Sequence, residues 1–277
     1  MFDKILVAID SSECSLMALD YGIYLAKNLN AEFSIMHVID SKYFNWVLVY
    51  DFSSYLGVNP QLHVEENLRK SLYKRGKTLI EAAEQRCNDS QIFPETFIEE
   101  GNVREVVCKK AHTVDLVIIG ECGESKKDNS KFLGSNAEEI SRGINKPLII
   151  APALHPKLSK ILLAYDGSNY ANDTLNVIKV LSNKLKFSLT ILNVGDNEEG
   201  QLILQEAKKA IEPVNLTIDY ICKNGDPEDE IVKYANREAI DLIAMGAYGN
   251  GRIIDLILGS TTEYVLRNSS VPVLLMR

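Results

Sequence analysis

The sequence predicts an α/β fold: two tandem, doubly wound parallel sheets of five strands each, flanked by helices. Three observations carry this. A set of landmarks recurs along the chain in one order. Short apolar runs alternate with stretches of helical periodicity. Those runs are near-continuous in apolar residues, the mark of parallel strands covered on both faces.

The landmarks define the repeat. Lys4-Ile-Leu-Val-Ala-Ile-Asp10 matches Lys160-Ile-Leu-Leu-Ala-Tyr-Asp166, and Ile35-Met-His-Val38 matches Ile191-Leu-Asn-Val194, both at an offset of 156. Glu100-Gly101-Asn102 matches Asn224-Gly225-Asp226 at 124, and Asp115-Leu-Val-Ile-Ile-Gly120 matches Asp241-Leu-Ile-Ala-Met-Gly246 at 126. Leu133-Gly134-Ser135 matches Leu258-Gly259-Ser260 at 125, as Lys146-Pro147 matches Val271-Pro272. The fall in offset places an insertion of about thirty residues in the first copy, after the strand ending at Val38. The expected domains are residues 1–152, with the insertion at about 41–71, and residues 158–277. A stiff connector from Pro152 to Pro156 joins them.

In the second copy the strands are expected at Ile161–Tyr165, Ser188–Val194, Leu216–Cys222, Leu242–Met245 and Val273–Met276. Helices are expected between them at Tyr170–Leu181, Glu199–Ile211, Pro227–Ala239 and Ser260–Arg267. Ligands of such sheets bind beyond the carboxyl ends of the strands, where the strand order reverses. Asp166, Val194 and Gly246 fall at those ends. In the first copy Leu62–Cys87 reads as a long helix with Val64, Leu68, Leu72 and Leu79 along one face. Each copy closes on an apolar run, which as a bare sheet edge invites pairing.

Composition narrows the class. The chain has 277 residues, 46% hydrophobic and 25% charged, which suits two globular domains and excludes a disordered or fibrous chain. No apolar stretch approaches the length of a membrane span, and the start has no basic leader segment, so a cytoplasmic protein is expected. Net charge is −8, which argues against a nucleic-acid partner. The cysteines at 14, 87, 108, 122 and 222 are odd in number, and no two share a CxxC spacing. They read as free thiols in a reducing compartment. The four histidines are scattered, and no metal site from protein side chains alone is expected.

The chemistry lies in the glycines. The second copy reads G-x2-G-x9-G-S-T from Gly246 through Gly249 and Gly251 to Gly259, Ser260 and Thr261. Gly246 ends a strand, where the lack of a Cβ lets a ligand approach the backbone. Gly259-Ser260-Thr261 opens a helix, whose free N–H groups and partial positive charge form an anion site. Taken alone these glycines are turn residues and Ser260 a plain N-cap. Their joint placement at the strand ends of one sheet points to phosphate binding. No Walker A motif occurs.

Both halves resemble universal stress protein domains, so the chain resembles a tandem universal stress protein with an adenine-nucleotide α-hydrolase-like, Rossmann-like fold. The carrying residues are Asp10 and Asp166 after the opening strands, Gly225-Asp226-Pro227, the glycine motif at 246–260 and Val271-Pro272-Val273. The resemblance implies ATP, or ADP or AMP, with Mg²⁺. Asp166 and Val194 would stand near the adenosine, and Met245, Gly246 and Gly249 would line ribose and phosphates. Gly259, Ser260 and Thr261 would hold phosphate oxygens, and Arg252 would position phosphates or face solvent.

The first copy departs from the pattern. Ten residues, not nine, separate Gly123 from Gly134-Ser135, which would alter where the helix start points relative to Gly120. The intervening segment is polar, with Lys126, Lys127 and Lys131. Asp10, Val38, Gly120, Gly123, Gly134 and Ser135 remain as a second candidate site. The insertion crowds Tyr43, Phe44, Trp46, Tyr50, Phe52 and Tyr55 together. They could form a lid, a partner patch or a small accessory core.

The leading functional expectation is a stress-response regulator or sensor that binds ATP mainly in the second domain. A slow ATPase or nucleotidyl transferase is the enzymatic alternative, disfavoured because no motif-placed lysine or general base accompanies the glycines. A nucleotide-free interaction scaffold is the third. The closing strands should meet and form a pseudo-dimer within the chain. A homodimer and an unidentified protein partner are compatible with this pattern.

Overall fold

In the computed structural model, which describes residues 2–44, 61–123, 133–153, 156–247 and 258–277, strands and helices alternate from end to end. The first copy runs β1 (Lys4–Ile9), α1 (Glu13–Leu29), β2 (Glu32–Asp40), α2 (Gln61–Asp89), β3 (Glu95–Gly101), α3 (Val103–Ala111), β4 (Leu116–Gly120), α4 (Ser135–Gly143) and β5 (Leu148–Ala151). The second runs β6 (Lys160–Ala164), α5 (Asn169–Ser182), β7 (Ser188–Val194), α6 (Asn197–Ile211), β8 (Thr217–Lys223), α7 (Pro227–Arg237), β9 (Leu242–Gly246), α8 (Ser260–Asn268) and β10 (Val273–Met276).

The two five-stranded sheets are joined into one, because the closing strands meet as expected. The strand order is β3-β2-β1-β4-β5-β10-β9-β6-β7-β8. Each half is parallel, and the halves join where β5 and β10 pair antiparallel, Leu274 opposite Ile149. An apolar closing strand that would otherwise be an exposed edge is thereby covered by its own repeat.

Successive side chains of a strand point to opposite faces, and the cores follow. Ile5, Val7 and Ile9 lie in one core with residues of α1, α2, α5 and α6. Leu6 lies in the other with residues of α3, α4, α7 and α8. Both cores run through the seam, which explains why the strands read as continuous apolar runs.

Helix α2 is longer than its counterpart. Its buried apolar side chains include Ile80, Ala83 and Cys87, which stand 124 residues from the buried Leu204, Ala207 and Ile211 of α6. Of the expected face, Leu68, Leu72 and Leu79 are half-buried, and the Val64 side chain lies outside the described residues. Leu79 packs against the core, and Leu72 and Leu79 line a cavity beside β2. Of the aromatic segment, Tyr43 is exposed and Phe44 is buried under the Arg69 guanidinium, 4.7 Å from its ring centre. Trp46, Tyr50, Phe52 and Tyr55 lie outside the described residues, as do Lys126, Lys127 and Lys131.

Two small devices repeat at the start of each copy. The Asp115 carboxylate accepts from the N–H groups of Asp3 and Lys4 at 2.8 and 3.1 Å. Asp241 accepts from those of Ser159 and Lys160 at 2.8 and 2.9 Å. Each pins the first strand of its copy to the fourth.

Candidate functional site

The strand order reverses between β1 and β4 in the first copy and between β6 and β9 in the second. Beyond those carboxyl ends the chain builds the same scaffold twice. After β1, Asp10 accepts from the Ser12 N–H at 2.9 Å, and Ser12 caps α1 by accepting from the Ser15 N–H at 3.2 Å. After β6, Asp166 accepts from the Ser168 N–H at 3.0 Å, and Ser168 caps α5 by accepting from the Ala171 N–H at 3.2 Å. One oxygen of each aspartate is thus occupied in a turn that sets the helix start. The Nδ1–H of His37 donates to the Ile9 carbonyl at 2.9 Å, and the Asn193 amide donates to that of Tyr165 at 2.9 Å. Burial, then Glu206 and Asp166, push the Tyr165 hydroxyl above its ordinary value. It stays protonated and donates to Asn172 at 2.6 Å.

The glycine-led helices also match. The Gly134 N–H donates to the Glu121 carbonyl at 2.8 Å, and the Gly259 N–H to that of Ala247 at 3.2 Å. The one-residue difference in spacing therefore does not redirect the helix start. It is taken up within 124–132, outside the described residues. Neither Gly134 nor Gly259 offers a side-chain cap. The first N–H groups of α4 and α8 remain available to an anion. A Cβ on Gly134 would stand 3.1 Å from the Glu121 oxygen and the Gly123 nitrogen, so glycine permits the close approach.

At Gly246 packing adds a second reason for glycine. A Cβ there would meet the Tyr170 Cβ at 2.7 Å and its carbonyl carbon at 3.1 Å. At Gly120 it would meet the Cys14 carbonyl carbon and the Ser15 nitrogen, both at 2.8 Å. The absent side chain lets the first turn of α5 or α1 press against the strand end.

The six candidate residues of the first copy, Asp10, Val38, Gly120, Gly123, Gly134 and Ser135, all line one cavity of about 540 Å³. Lys42, Tyr43, Leu72 and Arg75 form another wall of it, contributed by the segment after β2 and by α2. In the second copy Val194 and Gly246 end their strands, Met245 is buried, and Ser260 and Thr261 open α8 beside Gly259. Gly249, Gly251 and Arg252 lie outside the described residues. Thr262, which the motif did not single out, donates its hydroxyl to the Gly246 carbonyl at 3.1 Å and ties α8 to β9. Its signal was its place directly behind the Gly-Ser-Thr turn. His37 carried a clearer signal, since it stands at the same offset from Asn193 as the flanking strand residues.

One expectation is overturned. Cys14 and Cys122 form a disulfide across 108 residues, leaving Cys87, Cys108 and Cys222 free. The packing of the start of α1 on the end of β4 brings the two together. Among the described residues no group of acids, histidines and cysteines is arranged to hold a metal ion.

The model of the universal stress protein family matches residues 1–152 and 196–277. The chain belongs to the universal stress protein family. A universal stress protein of Synechocystis is 29% identical over 285 aligned positions, covering 99% of both chains. One from Bacillus subtilis is 31% identical over 154 positions, covering 54% of this chain and 99% of its own. It is a single-copy relative of a two-copy chain. The fold matches the crystal structure of a universal stress protein from Archaeoglobus fulgidus with a TM-score of 0.80 at 22% identity, covering 100% and 99% of the two chains. No helix among the described residues is long and apolar enough to cross a membrane.

Proposed function

We propose that this universal stress protein is a regulator that binds adenine nucleotides at the carboxyl ends of its strands. In the second copy, residues 158–277, ATP would lie with adenosine against Asp166 and Val194 and phosphates against Gly246, Gly249 and Gly251. The start of α8 at Gly259, Ser260 and Thr261 would hold the phosphate oxygens, with Arg252 beside them. In the first copy, residues 1–152, the cavity would take a nucleotide between Asp10 and Val38 at one end and Gly134-Ser135 at the other.

The observation that carries this reading is the cavity. Its volume of about 540 Å³ suits a nucleotide-sized ligand. It has an uncapped helix start at one end, where phosphate is favoured, and apolar and carboxylate groups where a base would sit. The protein's own donors for Mg²⁺ are the Ser and Thr hydroxyls at the helix starts, so the ion would be held chiefly by the phosphates. It would neutralise charge and orient them. The glycine-led helix starts hold charge, which favours binding and signalling over turnover.

Mass spectrometry of the ligand released from freshly purified protein, joined with isothermal titration of ATP and Mg²⁺, tests the reading. An adenine nucleotide should be released, and two binding events should appear. Gly259→Val should remove one event and Gly134→Val the other. A chain that releases and binds no adenine nucleotide would overturn it.

A further inference from the structure

The disulfide stands at the wall of the first copy's cavity. Cys122 lines that cavity, two residues beyond β4, while Cys14 is buried in the first turn of α1. Their Cα atoms are 5.6 Å apart. The positions that correspond in the second copy are Tyr170 and Tyr248, so the cross-link belongs to one copy alone. There α5 packs on β9 without a bond of this kind. The architecture therefore does not require the disulfide.

What the bond controls follows from its neighbours. The Ser12 hydroxyl donates to the Cys122 carbonyl at 3.2 Å. One residue earlier, the Glu121 carbonyl receives the Gly134 N–H that fixes the start of α4. One residue later, a Cβ on Gly123 would lie 3.6 Å from the Asp10 carboxylate. Residues 121–123 thus connect the acid end of the cavity to its anion end. With the disulfide closed, this connector is covalently held to α1. With it open, single hydrogen bonds hold it.

We propose that Cys14–Cys122 is a redox-responsive pair that sets the nucleotide affinity of the first copy's cavity, tight when oxidised and weaker when reduced. The proposal rests on the nucleotide reading above. The exchange partner is a small or protein thiol. Its thiolate attacks Cys122 Sγ, the sulfur of the half-buried member of the pair, since Cys14 is buried. The Cys14–Cys122 bond breaks, and its electron pair leaves on Cys14 Sγ, where the positive end of the α1 dipole stabilises the thiolate until it takes a proton. A second thiol then attacks the mixed disulfide and releases Cys122 as a thiol. In sum, one protein disulfide and two thiols give two protein thiols and one external disulfide. A reduced connector must be ordered again when ligand binds, which lowers affinity.

The test uses the full chain, 8-azido-ATP as photolabel and peptide mapping to read each copy separately. On reduction with dithiothreitol, half-saturation of the first copy's peptides should move to about tenfold higher label concentration, within the ordinary range of coupling between two sites. Labelling of the second copy's peptides should not move. The double variant Cys14→Ala/Cys122→Ala should match the reduced chain with or without dithiothreitol. Because coupling is reciprocal, ATP should lower the equilibrium ratio of reduced to oxidised Cys14–Cys122 in a dithiothreitol buffer by the same factor, read by alkylation of Cys122 after equilibration. Should the double variant misfold, the wild-type comparison and the alkylation readout decide alone. Equal half-saturation of the first copy in both redox states would overturn the proposal and leave the nucleotide reading standing. A disulfide that millimolar dithiothreitol does not open in the folded chain would also overturn it. No saturable labelling of the first copy in either state would overturn the nucleotide reading for that copy, and the proposal with it.

Discussion

Gly246 and Gly120 show how a single missing side chain serves packing. Each lies where the first turn of a helix meets a strand end, with backbone or Cβ atoms of that turn at 2.7–3.2 Å from the site of a Cβ. Gly246→Val should therefore cost about 1–3 kcal/mol through overpacking, even with no nucleotide present. Thermal unfolding of the ligand-free variant checks this, and an unchanged midpoint would return Gly246 to a purely ligand-facing role. Cys87 makes a second prediction at this scale. Burial, then Asp20 and Glu84, push its thiol from 9.0 up to about 12. The unfolded chain releases this proton near pH 9, whereas the folded chain keeps it. The contribution is complete below pH 9 and is lost as pH rises from 9 toward 12. Urea midpoints at about pH 8 and about pH 10 should fall less in Cys87→Ala than in the wild type.

Helix α2 is the element that sets the two copies apart. Its last half corresponds to α6, with Gly76 against His37 where Gly200 meets Asn193. In the second copy Asp196 caps α6 directly. Asp40 and Tyr73 are the residues that correspond to Asp196 and Asn197 by the two offsets. Deleting 41–72 and joining Asp40 to Tyr73 should leave the sheet folded, with an unchanged far-ultraviolet dichroism per residue. The Arg69–Glu100 and Lys70–Glu66 pairs would be lost, but exposed pairs are worth about 0–1 kcal/mol each. An unfolded or aggregated deletion chain would show that the extension is part of the core. The glycine-led starts of α4 and α8 were legible because Gly-Ser recurs at a fixed place. Their common anchoring was not, since a spacing difference of one residue says nothing of which bonds survive it.

Across the whole molecule the seam between β5 and β10 decides cohesion. Leu274 is almost fully buried, opposite Ile149, and both cores pass through it. The seam is also bridged by Arg267 to Glu138 at 3.5 Å and by Lys184, which donates to the Leu29 carbonyl at 2.7 Å. The wild type should unfold in a single urea transition. Leu274→Asp buries an unpaired charge and should cost about 3–5 kcal/mol, splitting unfolding into two transitions as the halves part. An unaltered single transition at the wild-type midpoint would refute the seam's role.

The amino-acid sequence by itself determined the repeat, the order of strands and helices and the parallel sheets. These depend on local periodicity and on short motifs, which are written along the chain. Only the tertiary structure decided the antiparallel register of β5 on β10, that Cys14 meets Cys122, and that Gly246 yields room to Tyr170. Each of these is a contact between segments far apart in sequence. The cysteines are the clearest case: 108 residues separate them, and nothing in their spacing encodes the packing of α1 on β4 that makes them neighbours.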